Sequence, residues 1–85
     1  MQLGDIVVSR AGHDAGKPFV IVSVVNDDFV LIADGKSRRT EDPKLKRIRH
    51  LRAVEPSGLT EPTNASLAKR LKKFISDRRS YAEKR

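Results

Sequence analysis

The sequence contains no cysteine and no tryptophan, and only one tyrosine and three phenylalanines among its 85 residues. Without cysteine there is no disulfide framework, no thiolate zinc site and no cysteine nucleophile, and a reducing compartment is permitted. With so few aromatics there is little surface for stacking bases or for lining a proline-recognition groove. His13 and His50 are the only two histidines, and no acidic or imidazole cluster has metal-ligand spacing, so no metal and no other cofactor is expected. Long apolar runs are also missing. The longest, Phe19 to Val25, is far short of the roughly 20 residues that span a bilayer, and Met1-Gln2-Leu3-Gly4-Asp5 has no positive n-region. The expectation is a soluble, cytoplasmic protein with no membrane partner.

Catalysis is disfavoured on similar grounds. Ser9, His13 and Asp14 have the side chains of a triad, but they are neighbours on one loop, whereas triads are assembled from separated elements that fix their geometry. A chain of this length forms one domain plus at most an appendage, too small for a deep pocket. The expectation is a protein that is not an enzyme.

What is abundant is positive charge, unevenly placed. The net charge is +7. Residues 1–35 hold Arg10 and Lys17 against five aspartates, a net of −3. Residues 36–52 hold Lys36, Arg38, Arg39, Lys44, Lys46, Arg47, Arg49 and Arg52 against Glu41 and Asp42, a net of +6, and residues 53–85 add +4. Asymmetry of this kind points to a polyanion on one face.

The apolar, β-prone sequence is concentrated between Gly4 and Gly35. Ile6-Val7-Val8, Phe19 to Val25 and Phe29 to Ala33 are rich in β-branched residues and separated by turn formers, which predicts a β-meander. Alternation places Ile6 and Val8 on one face of the first strand and Val7 on the other. The second strand is apolar on both faces, as where a small barrel curls over its own core, and is predicted to be central. Arg10 to Pro18 form a loop with glycines at 12 and 16, read either as a binding loop or as an ordinary glycine turn. Asn26-Asp27-Asp28 predicts a hairpin turn. Asp34-Gly35 predicts a type I′ turn into a fourth, polar strand from Ser37 to Glu41, on which Arg38 and Arg39 would face opposite ways. After Pro43, Leu45, Ile48 and Leu51 recur every third residue, which predicts a 3₁₀ turn running into a last short strand, with all three as core anchors.

Glu55 to Thr63 reads as a linker. Thr63 or Asn64 can then cap a helix to about Tyr81 whose stripe is Leu67, Leu71, Phe74 and Ile75. Lys69, Arg70, Lys72, Lys73, Arg78 and Arg79 occupy its other faces, either as a phosphate-facing side or as a solvated one. Phe19, Phe29 and Phe74 are expected in the core. The predicted organisation is a barrel over 1–54, a linker over 55–63, a basic amphipathic helix over 64–81 and a tail over 82–85.

Gly4-Asp5-Ile6-Val7, then Ser9-Arg10-Ala11-Gly12-His13-Asp14-Ala15-Gly16-Lys17, then Val20 to Val24, together resemble the KOW motif of several ribosomal proteins and transcription elongation factors. The continuation through Phe29 to Gly35, Arg38-Arg39, Pro43-Lys44 and Lys46 to Leu51 is similar to the fourteenth-family large-subunit ribosomal proteins of archaea and eukaryotes, and to short bacterial KOW-domain RNA-binding proteins. The resemblance covers about residues 2–52. It implies an all-β core, a small SH3-like barrel of about five strands with the C-terminal helix appended, that binds structured RNA, ribosomal RNA above all. Carried over by position, it sets Arg10, Gly12, His13, Gly16 and Lys17 beside RNA. Lys36, Arg38, Arg39, Lys44, Lys46, Arg47, Arg49 and Arg52 join the candidate site on charge alone. Asp14 departs from what a phosphate-facing loop favours, and is read either as pairing with Lys17 or Arg10 or as marking the side turned away from the RNA backbone. Large-subunit proteins are further expected partners, with a monomer outside the complex. The competing reading is a protein-binding module that docks an acidic surface of the transcription or translation machinery.

Overall fold

A computed structural model describes residues 1–83, with the surroundings of side chains through residue 78. Five antiparallel strands, β1 (Asp5–Ser9), β2 (Pro18–Val24), β3 (Phe29–Ala33), β4 (Lys44–Arg47) and β5 (Leu51–Pro56), are followed by one helix, α1 (Asn64–Glu83). The sheet order is β4-β3-β2-β1-β5, so β2 is central and β4 and β5 are the two edges. Those edges are joined only by a 3₁₀ turn, Ile48–His50. So short a link brings the two edges together and makes the sheet curl into a small SH3-like barrel.

Alternation sorts the side chains into two cores. Val7, Phe19, Ile21, Val30, Ile32 and Leu51 fill the inside of the curl, with Ile48 packed against them. Ile6, Val20 and Ala33 face outward and are covered by Leu67, Leu71 and Phe74 of α1, with Val8 and Val22 alongside. The second strand is therefore apolar on both faces because one looks into the barrel and the other meets the helix. Each fully buried aliphatic or aromatic side chain contributes roughly 1.5–3 kcal/mol, so the helix face is a substantial part of the stability.

The helix is tied down at its start and again in the middle of its buried stripe. Thr63 is the cap: its Oγ1 accepts from the Ser66 N–H at 3.1 Å, and its own N–H donates to Ser66 Oγ at 2.8 Å, satisfying donors the helix cannot pair internally. Asn64 reaches across the chain instead, accepting from the Thr40 N–H at 2.8 Å and donating to Glu41 Oε1 at 2.6 Å. Further along, Arg70 donates to the Ser57 carbonyl at 3.0 Å and to Glu55 Oε2 at 2.7 Å. Arg70 thus belongs to the helix–barrel junction rather than to a phosphate-facing side.

Several expectations are corrected. No strand forms over Ser37–Glu41, and Asp34-Gly35 is not a hairpin turn into one. The Asp34 carboxylate accepts from the N–H groups of Lys36 and Arg38 at 2.9 and 2.8 Å and from Ser37 Oγ at 2.6 Å. A side chain that captures backbone donors in this way competes with a sheet ladder, and the polar run after it has no apolar face to bury. The fourth strand comes after Pro43 instead. Leu45, on that strand, is 55% exposed, so only Ile48 and Leu51 anchor the segment. The three-residue spacing runs through strand, 3₁₀ turn and strand, and one period does not set one face across three backbone conformations. Phe29 is half-buried, with the Arg47 guanidinium 5.0 Å from its ring centroid. Ile75 is 44% exposed, outside the buried helix stripe. Glu55 and Pro56, expected in the linker, are the last residues of β5, and α1 continues two residues beyond Tyr81. Residues 84 and 85 of the expected tail, and the side chain of Arg79, lie outside what is described.

Candidate nucleic-acid interface

The loop from Arg10 to Lys17 is built on its own hydrogen bonds. Gly16 N–H donates to the Ser9 carbonyl at 2.8 Å, Ser9 N–H to the Lys17 carbonyl at 3.1 Å, and Lys17 N–H to the Asp14 carbonyl at 2.9 Å. Gly12 and Gly16 both have positive φ, +76° and +85°, and a β-carbon at either would meet nothing within 4 Å. Backbone conformation, not close packing, therefore requires these glycines. Since the Gly16 and Lys17 N–H groups are committed inward, the loop's side chains carry more of any contact than those two amides do. Arg10 N–H donates to the His50 carbonyl at 2.7 Å, which holds the start of the loop against the 3₁₀ turn. Ser9 Oγ donates to the Ala11 carbonyl and Asp14 binds Lys44, so neither bond involves His13.

Asp14 explains how the loop is held over the barrel. Its carboxylate accepts from Lys44 Nζ on β4, an ion pair between residues 30 apart in sequence. The partner is neither Lys17 nor Arg10. The Lys44 hydrogen bond and charge hold the Asp14 carboxyl below its ordinary value, with Lys46 and Lys17 adding to the effect and partial burial opposing it. In register, Lys44 and Lys46 lie opposite Ile32 and Val30, so both ammonium stems run along the inward-facing side of an edge strand and end near the loop. Asp14→Asn is expected to lower stability by about 1 kcal/mol at neutral pH. The folded-state carboxyl titrates below its ordinary 3.8. The ion pair therefore contributes fully above that pH and is lost as the pH falls through the folded value. Urea unfolding of both proteins at pH 7 and about pH 2 tests this: the two converge at low pH, and an undiminished gap there contradicts the assignment.

The structure thus brings Arg10, Gly12, His13, Gly16, Lys17, Lys44 and Lys46 to one end of the barrel. Arg52 joins them from β5, where it lies opposite Val8 and lines a hollow with Gly16 and Pro18. Lys36 stands apart in sequence but lines a second hollow with Lys17. Two other pairs are separate. Arg47 and Arg49 line a cleft of about 290 Å³ with Asp27 and Asp28, whose acidity tempers the field there. Arg38 and Arg39 sit in the loop before β4, 3.7 Å from Asp42 and 3.3 Å from Glu41 respectively. Without a strand there, alternation no longer decides which of them faces a partner. Both are compensated within their own loop.

Lys72 and Arg78 of α1 line the same hollows as Lys17 and Arg52; the sequence puts them on the helix's phosphate-facing or solvated side without joining them to the loop and strip residues. The signal was their position beside Leu71 and four residues after Phe74, which becomes informative only once the helix face is known to lie on the barrel. Among the described residues, no group of three or more histidines and carboxylates is placed to hold a metal ion, and no helix is long and apolar enough to cross a membrane.

No family model matches the chain. It is 33% identical over 57 residues to the large ribosomal subunit protein eL14 of Desulfurococcus amylolyticus, covering 67% of this chain and 59% of that protein. The chain is similar to archaeal eL14. The eL14 of Staphylothermus marinus is 31% identical over 55 residues, covering 65% of this chain and 57% of that protein. The chain thus matches less than two thirds of the length of these eL14 relatives. A small β-barrel with a basic end agrees with the resemblance seen in the sequence, and the eL14 likeness is reached without a closely matching family pattern.

Proposed function

We propose that the chain binds structured ribosomal RNA as a non-catalytic ribosomal or ribosome-associated component of the cytoplasm. The observation that carries this reading is the gathering of Arg10, Lys17, Lys44, Lys46 and Arg52 around one loop, with Asp14 the carboxylate held among them. The similarity to eL14, a large ribosomal subunit protein, supports ribosomal RNA as the partner.

Arginine forks and lysine ammonium groups clamp phosphates, the first in planar pairs and the second as mobile point charges. Gly12 and Gly16 keep the loop crest free of side-chain bulk, so the backbone of an RNA helix can lie close against it. Phe19 and Phe74 are buried, and Phe29 carries Arg47 over its ring. With no broad aromatic platform among the described side chains, the surface recognises folded RNA by its shape and phosphate spacing rather than by stacking on unpaired bases. Large-subunit proteins are neighbours in that setting, and the chain is monomeric outside it.

Fluorescence anisotropy against large-subunit RNA fragments and against unstructured oligouridine, over a range of salt, tests the reading. Clamping of four or five phosphates gives a log–log salt slope of about −4, with the folded fragments preferred. A flat salt response, or equal affinity for oligouridine, contradicts it.

A further inference from the structure

Two hollows adjoin where α1 crosses the barrel. One, of about 470 Å³, has Leu71, Ala68 and Ile75 in its wall and Lys17, Lys36 and Lys72 at its margin. The other, of about 410 Å³, has Val8 and Phe74 in its wall and Arg52 and Arg78 at its margin. Pro18 and Ile75 line both, so the two form one groove with an apolar floor between basic edges. Ile75 is 44% exposed there, at the border of a stripe whose other members, Leu67, Leu71 and Phe74, are at most 4% exposed. The carboxylate in the groove, Asp34, is already occupied by two backbone N–H groups and the Ser37 hydroxyl. None of the five marginal cations has a carboxylate within ion-pair distance among the described residues.

We propose that this groove docks an acidic segment of a partner protein, with apolar side chains of that segment seated on either side of Ile75. Charge complementarity selects the sign of the occupant, since the edges are basic on both sides. The floor selects its kind. Phe74 is the aromatic ring in the wall, but it is 4% exposed and covered by the Arg78 guanidinium at 4.6 Å. An unpaired base finds aliphatic carbon there rather than a stacking surface, whereas leucine or phenylalanine anchors find apolar hollows of side-chain size. Arg78 remains able to reach a carboxylate from its position on the ring. The groove shares Lys17 and Arg52 with the proposed RNA surface, and the contact that distinguishes the two is Ile75, which is outside the basic loop.

The test uses the full chain and two fluorescein-labelled peptides: an acidic peptide with leucine and phenylalanine anchors, and its twin with serine at every anchor. The anchored peptide is expected to bind at least about tenfold more tightly than the twin, roughly the effect of burying one or two side chains. Ile75→Asp is expected to abolish that preference and the milder Ile75→Ala to reduce it, while Ile75→Ala, which adds no charge beside Lys17 and Arg52, changes the affinity for a large-subunit RNA fragment less than about twofold. Thermal melts confirm that both variants are folded. Equal binding of the twins, or a preference that survives in Ile75→Asp, overturns the proposal. So does a parallel loss of RNA binding in Ile75→Ala, which would make the groove floor part of a nucleic-acid surface. Self-association removed by Ile75→Asp overturns it too, because the acidic hairpin of a second copy, with its exposed Val24 and Val25, would then be the occupant.

Discussion

Gly35→Ala is expected to destabilise the protein by about 3 kcal/mol or more and to release α1 from the barrel. Gly35 has φ +81°, and a β-carbon there would lie 2.1 Å from the Asn64 carbonyl oxygen and 3.0 Å from the Ala68 nitrogen. Both are helix backbone atoms, so no side-chain rotation relieves the clash. The left-handed conformation costs a non-glycine residue about 1–2 kcal/mol, and forcing packed elements apart typically costs a further 1–3 kcal/mol. Separation of α1 exposes Leu67 and Ala33 and breaks the Asn64 bonds to the Thr40–Glu41 backbone and side chain. The measurement is urea unfolding combined with hydrogen exchange. Exchange rises along α1 and along the 34–43 loop more than in β1 and β5. A variant as stable as the parent would mean that the helix does not seat on Gly35.

The second large effect concerns recognition. Lys17→Gln, Lys46→Gln and Arg52→Gln together are expected to weaken RNA binding about a hundredfold or more. That corresponds to roughly 1 kcal/mol or more for each charge-assisted phosphate contact removed. Arg38→Gln with Arg39→Gln, which removes two charges already balanced by Asp42 and Glu41, is expected to change affinity less than about threefold. Neutral glutamine is the better substitute at 17 and 46 because glutamate would set like charges beside Asp14. Anisotropy titration at one fixed salt concentration, with a circular-dichroism melt for each variant, reads both effects. Equal losses from the two sets would show that total charge, not its placement, governs binding.

The barrel was largely legible because alternation is a local signal. Ile6 and Val8 against Val7, and the apolar run of β2 on both faces, state the burial pattern before any coordinate is known. Thr63 or Asn64 as the helix start was equally readable, although only the structure divides the work, with Thr63 capping and Asn64 tying the helix to the loop. The Asp34-Gly35 pair misled because the same residues that favour a hairpin also favour a loop closed on an aspartate side chain. The choice between them depends on α1, whose backbone occupies the space beside Gly35. Leu45 misled for a related reason, since its face is set by pairing with Leu31 and not by its distance in sequence from Ile48.

The basic residues were legible as a set but not as a surface. Composition counts Arg38, Arg39, Lys44 and Arg70 like any others, whereas three-dimensional placement commits each of them to a carboxylate. Asp14, which looked out of place in a phosphate-facing loop, turns out to clip that loop to β4 through Lys44. Such pairings join residues far apart in the chain, so no periodicity or local motif announces them.

The most direct measurement is ultraviolet crosslinking of the tagged protein in cells, with gradient sedimentation of the lysate and sequencing of the RNA attached to each crosslinked peptide. Co-sedimentation with the large ribosomal subunit is the expected result, with crosslinks to one ribosomal RNA site through peptides from residues 10–17 and 44–52. Migration near the top of the gradient without enriched RNA would contradict the account, as would crosslinks carried mainly by residues 36–42.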